Sequence, residues 1–203
     1  MKSKLQIETL AVGPIRANCY ILSLPHRDDC VLIDPGAQPE RILAAVKGKQ
    51  VAAVLLTHGH FDHIGGVAGV LGPDTALYIH ALDEPMLRDP AKNMAVMIGQ
   101  ELVVSAKATS VKEGDVLLAA GIPFTVLHTP GHTPGSVCYQ AGGALFTGDT
   151  MFRHGYGRTD LPGGSWDDLY QSMKRLLLLQ KECNVYPGHE STTTIGLEQE
   201  YFQ

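Results

Sequence analysis

The stretch that decides the fold is Thr57-His58-Gly59-His60-Phe61-Asp62-His63-Ile64-Gly65-Gly66. It directly follows the continuous apolar run Val51–Leu56, which predicts a buried strand. Three imidazoles and one carboxylate therefore fall within six residues at a strand end, where loops bring side chains to a common point. This mixture of ligands suits zinc, iron or manganese better than calcium or magnesium. The stretch predicts a metal site.

Three more candidate ligands occur later in the chain, each directly after a glycine in a loop that follows a predicted strand: His132, Asp149 and His189. A glycine before each of them allows the backbone to approach the site closely. Together with the first four they make five histidines and two carboxylates. That set is large enough for two metal ions.

The rest of the chain alternates short strands with helices. We predict a hairpin from Cys19–Leu24 and Cys30–Asp34, and helices over Pro39–Lys47, over Gly65–Leu71 and from Trp166 to Leu177, with Ser165 as the N-cap of the last. Further short strands are predicted at Ala76–Ile79, Val116–Leu118, Phe124–Leu127, Val137–Gln140, Ala144–Thr147 and Asn184–Tyr186. Because no linker or low-complexity segment interrupts this pattern, residues 1–203 are expected to form a single domain.

The two halves of the chain resemble each other weakly. Val31–Gly36 has a counterpart in Ala144–Asp149, and Val54–His60 has one in Val185–His189. We therefore expect two similar half-units packed face to face.

Composition and charge limit the partners. The chain has 16 basic and 21 acidic residues, a net charge of −5, and a hydrophobic fraction of 44%. This balance argues against nucleic acid or an anionic membrane as the main partner, and it leaves small anionic substrates open. Met1–Glu8 is not followed by the apolar stretch of a signal peptide, and the four cysteines form no C-x-x-C pair. We expect free thiols and a cytoplasmic location.

The H-x-H-x-D-H motif, followed in order by His132, Asp149 and His189, resembles the metallo-β-lactamase superfamily over essentially the whole chain. The resemblance implies an α/β fold, an αββα sandwich of two mixed sheets flanked by helices. It also implies two divalent metal ions. The first would be held by His58, His60 and His132, the second by Asp62, His63 and His189, with Asp149 bridging both.

Within that superfamily, the tract Gly148–Gly164 looks like the small proteins similar to hydroxyacylglutathione hydrolase, or glyoxalase II. This resemblance implies hydrolysis of a thioester such as S-lactoylglutathione, with zinc as the expected metal and iron or manganese as alternatives. Two metals that share a water lower its pKa towards ~7, and a metal-bridging hydroxide then attacks the carbonyl. Asp62 is the expected catalytic residue, because it can bind one metal and also orient the hydroxide.

Other functions remain open at the level of sequence. The tract shares Gly157-Arg-Thr-Asp160 with the persulfide dioxygenases, in which a single iron would be held by His58, His132 and Asp149. Hydrolysis of another ester or a lactone is equally compatible with the ligand set. A non-catalytic, metal-stabilised binding protein is disfavoured, because a structural zinc site is normally closed by four ligands. The oligomeric state is unknown.

The substrate contacts are predicted from the loop after Asp149. Arg158 lies where glyoxalase II has a cation near glutathione, although an ion pair with Asp160 would give it a structural role instead. Tyr156 is a candidate for the pocket wall. Only a short segment follows His189, so the helical domain that helps glyoxalase II to bind glutathione is not expected. Asp34, Thr57 and Glu190 are candidates to orient the ligand histidines, since a metal-bound imidazole usually donates its second N–H.

Overall fold

The computed structural model describes residues 4–202 and contains two six-stranded sheets. The first sheet holds, side by side in chain order, β1 (Gln6–Val12), β2 (Ala17–Ser23), β3 (Asp29–Ile33), β4 (Gln50–Leu55), β5 (Ala76–His80) and β6 (Thr109–Val111). Neighbours β1 to β3 are antiparallel, and β3 to β6 are parallel. The expectations for Met1–Glu8 and for a domain of residues 1–203 lie partly outside the described residues.

The second sheet begins with β7 (Val116–Ala119), β8 (Ile122–His128), β9 (Val137–Ala141) and β10 (Ala144–Gly148), each antiparallel to the next. A separate hairpin follows, made of β11 (Met151–Phe152) and β12 (Gly155–Tyr156). The chain then returns to the second sheet as β13 (Asn184–Pro187), parallel to β10, and β14 (Thr193–Thr194), antiparallel to β13.

The core has three layers of apolar side chains because successive residues of a strand point to opposite faces. Tyr20, Leu22 and Val31 of the first sheet share a cluster with Phe124 and Tyr139 of the second, so these side chains fill the space between the sheets. The alternate residues of the same strands join helices on the outer faces. The helices α1 (Pro39–Ala45), α2 (Phe61–Ile64) and α3 (Val67–Val70) pack on the first sheet, and α4 (Trp166–Leu176) and α5 (Ile195–Tyr201) on the second. The predicted αββα sandwich is confirmed.

The two sheets contain the same arrangement of strands. The order β1-β2-β3-β4, with two antiparallel pairs and one parallel pair, recurs as β8-β9-β10-β13. Parallel neighbours carry their carboxyl ends to the same sheet edge, so the segments after β3 and β4 and those after β10 and β13 become the natural places for a site. This repetition agrees with the weak sequence similarity between the two halves of the chain.

Most predicted elements are present with shifted ends, and two differences matter. The buried strand ends at Leu55, one residue before the predicted end at Leu56. The helix expected from Gly65 is two short helices, α2 and α3, and α2 begins inside the motif at Phe61. Ser165 caps α4 as predicted, since its Oγ accepts from the Asp168 N–H at 3.2 Å.

Several elements were not predicted. They are β1, β6, β11, β12, β14, α5 and two 3₁₀-helices, Glu84–Arg88 and Ala95–Ile98. All are short or, like β1, largely exposed edge elements, so their sequences lack a clear apolar period. Among residues 4–202, no helix is long and apolar enough to cross a membrane.

Candidate metal centre

The structure brings the seven predicted ligand side chains together at one edge of the sandwich. They come from five segments: His58 and His60 after β4, Asp62 and His63 on α2, His132 between β8 and β9, Asp149 after β10, and His189 after β13. The expectation of a single strand-end loop was wrong for Asp62 and His63, which lie on a helical turn. That turn places these two residues in one group with His189.

Six of the seven side chains form two groups. One ligand atom each from His58, His60 and His132 lie within 4.8 Å of one another, and the same holds for Asp62, His63 and His189. Asp62 Oδ2 lies 3.1 Å from His189 Nε2 and 3.3 Å from His63 Nε2.

Asp149 lies between the two groups. Its Oδ2 is 3.6 Å from Nε2 of His132 in the first group, and also 3.6 Å from Nε2 of His189 in the second. Its Oδ1 is 3.4 Å from Nε2 of His63. The Asp149 carboxylate therefore approaches the Nε2 atoms of histidines in both groups.

The hydrogen bonds of the histidines fix which ring nitrogen faces the cluster. His63 Nδ1 lies 3.0 Å from Asp34 Oδ2, and His132 Nδ1 lies 2.7 Å from the Arg158 carbonyl oxygen. Both partners are acceptors, so each Nδ1 carries a proton and each Nε2 is the ring nitrogen that faces the cluster.

His58 is oriented in the same way through Thr57. The Thr57 hydroxyl donates to Asp34 Oδ2 at 2.6 Å, and it therefore accepts from His58 Nδ1 at 3.1 Å. Asp34 also accepts from the Thr57 N–H at 2.8 Å and is 1% exposed. One buried carboxylate thus orients a histidine of each group, as the sequence analysis expected for Asp34 and Thr57. The Asp34 carboxylate also lies within 4.8 Å of ligand atoms of His58 and His63. Because it accepts from His63 Nδ1 and from Thr57, we assign it the role of orienting the two histidines rather than that of binding a metal.

Burial and neighbouring charges leave His58 and His60 neutral and the Asp62 carboxylate ionised. Burial, reinforced by neighbouring histidines, lowers the pKa of His60 to about 3 and holds the pKa of His58 well below its ordinary value. Burial opposes ionisation of Asp62, but His63 and His189 outweigh it and hold its pKa well below the usual range. Burial likewise opposes a charge on His63, yet Asp62, Asp149 and Asp34 raise its pKa well above normal. The carboxylates around His63 therefore favour a positive charge at this position of the cluster.

Four buried polar atoms of the cluster have no hydrogen-bond partner among residues 4–202: Nε2 of His58, His60 and His63, and Oδ1 of Asp149. An unsatisfied buried polar group costs roughly 1–3 kcal/mol. The hydrogen bonds at Nδ1 turn Nε2 of His58 and of His63 towards the cluster, where a cation would satisfy both nitrogens together with Asp149 Oδ1. His60 instead faces the cluster through Nδ1, which lies 2.9 Å from His132 Nε2. The donors therefore fit divalent metal ions.

Two of the three glycines that precede ligands are required by close contacts in the site. A Cβ on Gly188 would lie 2.2 Å from Asp149 Oδ1 and 2.8 Å from His63 Cε1. Gly148 has φ +49°, and its Cβ would lie 2.3 Å from Thr57 Oγ1. Gly131 faces the backbone of Leu169 in α4 rather than the site.

Asp83 is a functional candidate that the sequence analysis missed. It is fully buried and accepts from the Gly59 N–H at 3.0 Å, the Thr133 hydroxyl at 2.7 Å and the Gly135 N–H at 2.8 Å. Its carboxylate thus joins the loop of His58 and His60 to the loop of His132. In sequence it resembles an ordinary turn residue, and only its burial reveals this role.

The predicted substrate residues are exposed. Arg158 forms a bidentate pair with Asp160, at 2.7 Å for both bonds, and both side chains are more than half exposed. Tyr156 is 45% exposed, and its ring lies 5.0 Å from that of Trp166. The Glu190 side chain is exposed and is not among the hydrogen-bond partners of the ligand histidines within the described residues.

Comparisons with known proteins agree with this geometry. Two relatives align over nearly their whole length. The Bacillus subtilis protein named probable metallo-hydrolase YqgX is 39% identical over 94% of this chain and 93% of its own. The Haemophilus influenzae protein named hydroxyacylglutathione hydrolase GloC is 31% identical over 96% of this chain and 95% of its own.

Two solved structures are similar throughout. The B3 metallo-β-lactamase BLEG-1 is 35% identical, with a TM-score of 0.89 over 96% of this chain and 97% of its own. TTHA1623 in a di-iron-bound form is 38% identical, with a TM-score of 0.84 over 96% of this chain and 98% of its own. The two ligand groups and the di-iron neighbour together support a dinuclear metal centre.

The family model described as the metallo-beta-lactamase superfamily matches residues 12–189, which include all seven clustered side chains. With the αββα sandwich and the cluster at its edge, this match confirms the resemblance that the motif indicated. The chain belongs to the metallo-β-lactamase superfamily, a superfamily of metallo-hydrolases.

Proposed function

We propose that this protein hydrolyses thioesters at a centre of two divalent metal ions. The observation that carries the proposal is the set of fixed tautomers: His58, His63 and His132 each donate Nδ1–H to a fixed acceptor and direct Nε2 at the cluster. A metal-bound imidazole usually donates its second N–H to a fixed acceptor, and all three of these histidines have such an acceptor.

The ligands proposed for the first ion are His58, His60 and His132, and those for the second are Asp62, His63 and His189. Asp149 would contact both ions, because its two oxygens reach histidines of both groups. Zinc is the first metal to test, with iron and manganese as alternatives, since imidazole and carboxylate ligands accept all three.

Bound metals would supply a water of lowered pKa and polarise the scissile carbonyl. Asp62 would accept a hydrogen bond from that water and aim its lone pair at the carbonyl carbon. Its carboxylate is ionised and only partly buried, with 11% exposure of the side chain, so it is accessible from the solvent side. A thiolate leaving group, with an ordinary pKa near ~8.5, needs no separate strong acid.

S-lactoylglutathione is the first substrate to test. The H. influenzae relative supports this choice, because it carries the hydroxyacylglutathione hydrolase name and matches this chain over 95% of its own length. The Arg158–Asp160 pair argues for a modest contribution of Arg158 to the recognition of an anionic thiol, since the guanidinium already has a carboxylate partner.

Hydrolysis of a β-lactam is a second candidate, favoured by one observation, the similarity to BLEG-1 over nearly both chains. The iron-dependent persulfide dioxygenase reaction is the oxidoreductase alternative. It would use His58, His132 and Asp149 around a single iron.

The test is one substrate panel on one metal-counted sample. Purified protein loaded with zinc, iron or manganese is assayed with S-lactoylglutathione, a neutral thioester, a lactone, a chromogenic β-lactam and glutathione persulfide with oxygen monitoring. We expect two metals per chain, release of thiol from thioesters and no oxygen uptake. Oxygen uptake with persulfide, or faster opening of the β-lactam than of any thioester, would overturn the proposal.

A further inference from the structure

A cleft of about 170 Å³ adjoins the metal cluster through a shared residue, Asp62. Its walls come from the turn between β1 and β2, the segment before α1, the first turn of α2 and the segment after the second 3₁₀-helix. Grooves of about 440 and 780 Å³ on the described surface share no residue with the cluster. The smaller cleft is therefore better placed for a group attached to the reacting carbonyl.

The cleft is lined mainly by apolar side chains. Ile15 and Ile98 form exposed edges, at 50% and 45% exposure, and Phe61 and Leu102 line it as well. Among the described residues that line the cleft, Asp62 is the only one that carries a charge, and no lysine or arginine contributes. Such walls do not suit the two carboxylates of a glutathione moiety, but they suit an uncharged hydrocarbon group.

The size of the cleft limits its occupant. An apolar cavity of about 150 Å³ accepts benzene. A volume of about 170 Å³ therefore matches a hydrocarbon group of roughly six carbon atoms.

We infer that this cleft binds an uncharged, apolar arm of the thioester, of about six carbon atoms, next to the scissile carbonyl. This inference rests on the proposed thioesterase function and specifies its substrate class. The arm can be the acyl chain or the substituent of the thiol, and both present the same chemistry to Ile15, Phe61, Ile98 and Leu102.

Two substrate series distinguish the two sources of the arm. One varies the acyl chain from two to eight carbons on N-acetylcysteamine, and the other varies the alkyl chain of the thiol on an acetyl thioester. We expect burial of each CH₂ group to raise kcat/KM about fourfold, up to about six carbons and no further. A rise in the acyl series assigns the acyl chain to the cleft, and a rise in the thiol series assigns the thiol substituent.

Ile98→Trp replaces a residue of the cleft wall with a larger side chain, and it should abolish the dependence on chain length. Val96→Trp is the matched control, because Val96 is on the same 3₁₀-helix at 53% exposure and does not line the cleft. A flat dependence in both series, or an unchanged dependence in Ile98→Trp, would overturn the inference while leaving the thioesterase proposal intact.

A binding measurement tests the cleft without any activity. Methyl NMR of the metal-loaded protein with 1-hexanol as the probe should shift the signals of Ile15, Ile98 and Leu102, and Ile98→Trp should remove the effect on the other two. If 1-hexanol shifts none of them in the wild type, the inference is wrong even if the protein is inactive with every thioester. That inactivity, at two metals per chain, would overturn the proposed function separately.

Discussion

Asp34→Asn should weaken both metal subsites at once. Asp34 accepts three hydrogen bonds, from the Thr57 N–H, the Thr57 hydroxyl and His63 Nδ1, at 2.8, 2.6 and 3.0 Å. Asparagine keeps one acceptor oxygen and presents an NH₂ group where the second oxygen was. Two donors, the Thr57 hydroxyl and His63 Nδ1, then meet that NH₂ group. The proton on His63 is driven towards Nε2, and the orientation of His58 through Thr57 is lost.

The expected magnitude follows from the role of such partners. Loss of a partner behind a ligand histidine typically costs 10–100-fold in metal affinity, which is about 1.4–2.7 kcal/mol. Because Asp34 serves a histidine in each group, we expect this loss for both equivalents of metal. Competition with a chromophoric chelator measures the two affinities. Asparagine tolerates the backbone of Asp34, which has φ +50°, so the fold should persist.

Two further variants isolate the mechanism. Thr57→Val removes only the bridge to His58, and we expect it to weaken the first equivalent more than the second. Asp29→Asn is the matched control, because Asp29 is a carboxylate paired with Arg27 away from the cluster. Two metals bound by Asp34→Asn with affinities within threefold of the wild type, in a folded protein, would refute the reasoning.

Three further predictions concern the reaction, the space in the site and the substrate. Asp62→Asn should keep the fold and lose at least about a hundredfold in kcat, because an amide orients the attacking water poorly; wild-type turnover in a steady-state assay would show that Asp62 is only a helix residue. Gly188→Ala, whose Cβ would lie 2.2 Å from Asp149 Oδ1, should lower metal content by elemental analysis, whereas Gly72→Ala, with its nearest contact at 3.5 Å, should retain two metals; equal content in both would contradict the close-packing argument. Arg158→Ala should change KM for an anionic thioester by less than about fivefold, since its guanidinium is exposed and already paired; a hundredfold rise for the anionic substrate alone would make it the main substrate contact.

The sequence was sufficient to predict that these seven side chains meet at one edge of the sheets, because most of them directly follow predicted strands. The buried run before His58 and the glycines before His132, Asp149 and His189 predicted loops at one sheet edge, and the structure brings these side chains together there. The packing of two similar sheets could also be predicted, because the two halves of the sequence resemble each other. In the structure, each half contributes one of the corresponding parallel pairs, β3–β4 and β10–β13.

The rest depends on contacts between residues distant in sequence. Asp83 looks like a turn residue, and it acquires its role only when the loops of Gly59 and Gly135 close around its carboxylate. The short helix α2 was missed because four residues carry too little periodicity to predict a helix. The cleft beside Asp62 is likewise a product of tertiary packing, formed by segments that have no common pattern.

The most direct test of the account is a metal titration of the metal-free protein followed by thioesterase activity and metal analysis on the same samples. The account predicts that activity with S-lactoylglutathione, or with a neutral thioester, stays low up to one equivalent and rises with the second, to a maximum at two metals per chain. Full activity at one equivalent, or no thioester hydrolysis at two, would contradict a two-metal hydrolase built from these seven side chains.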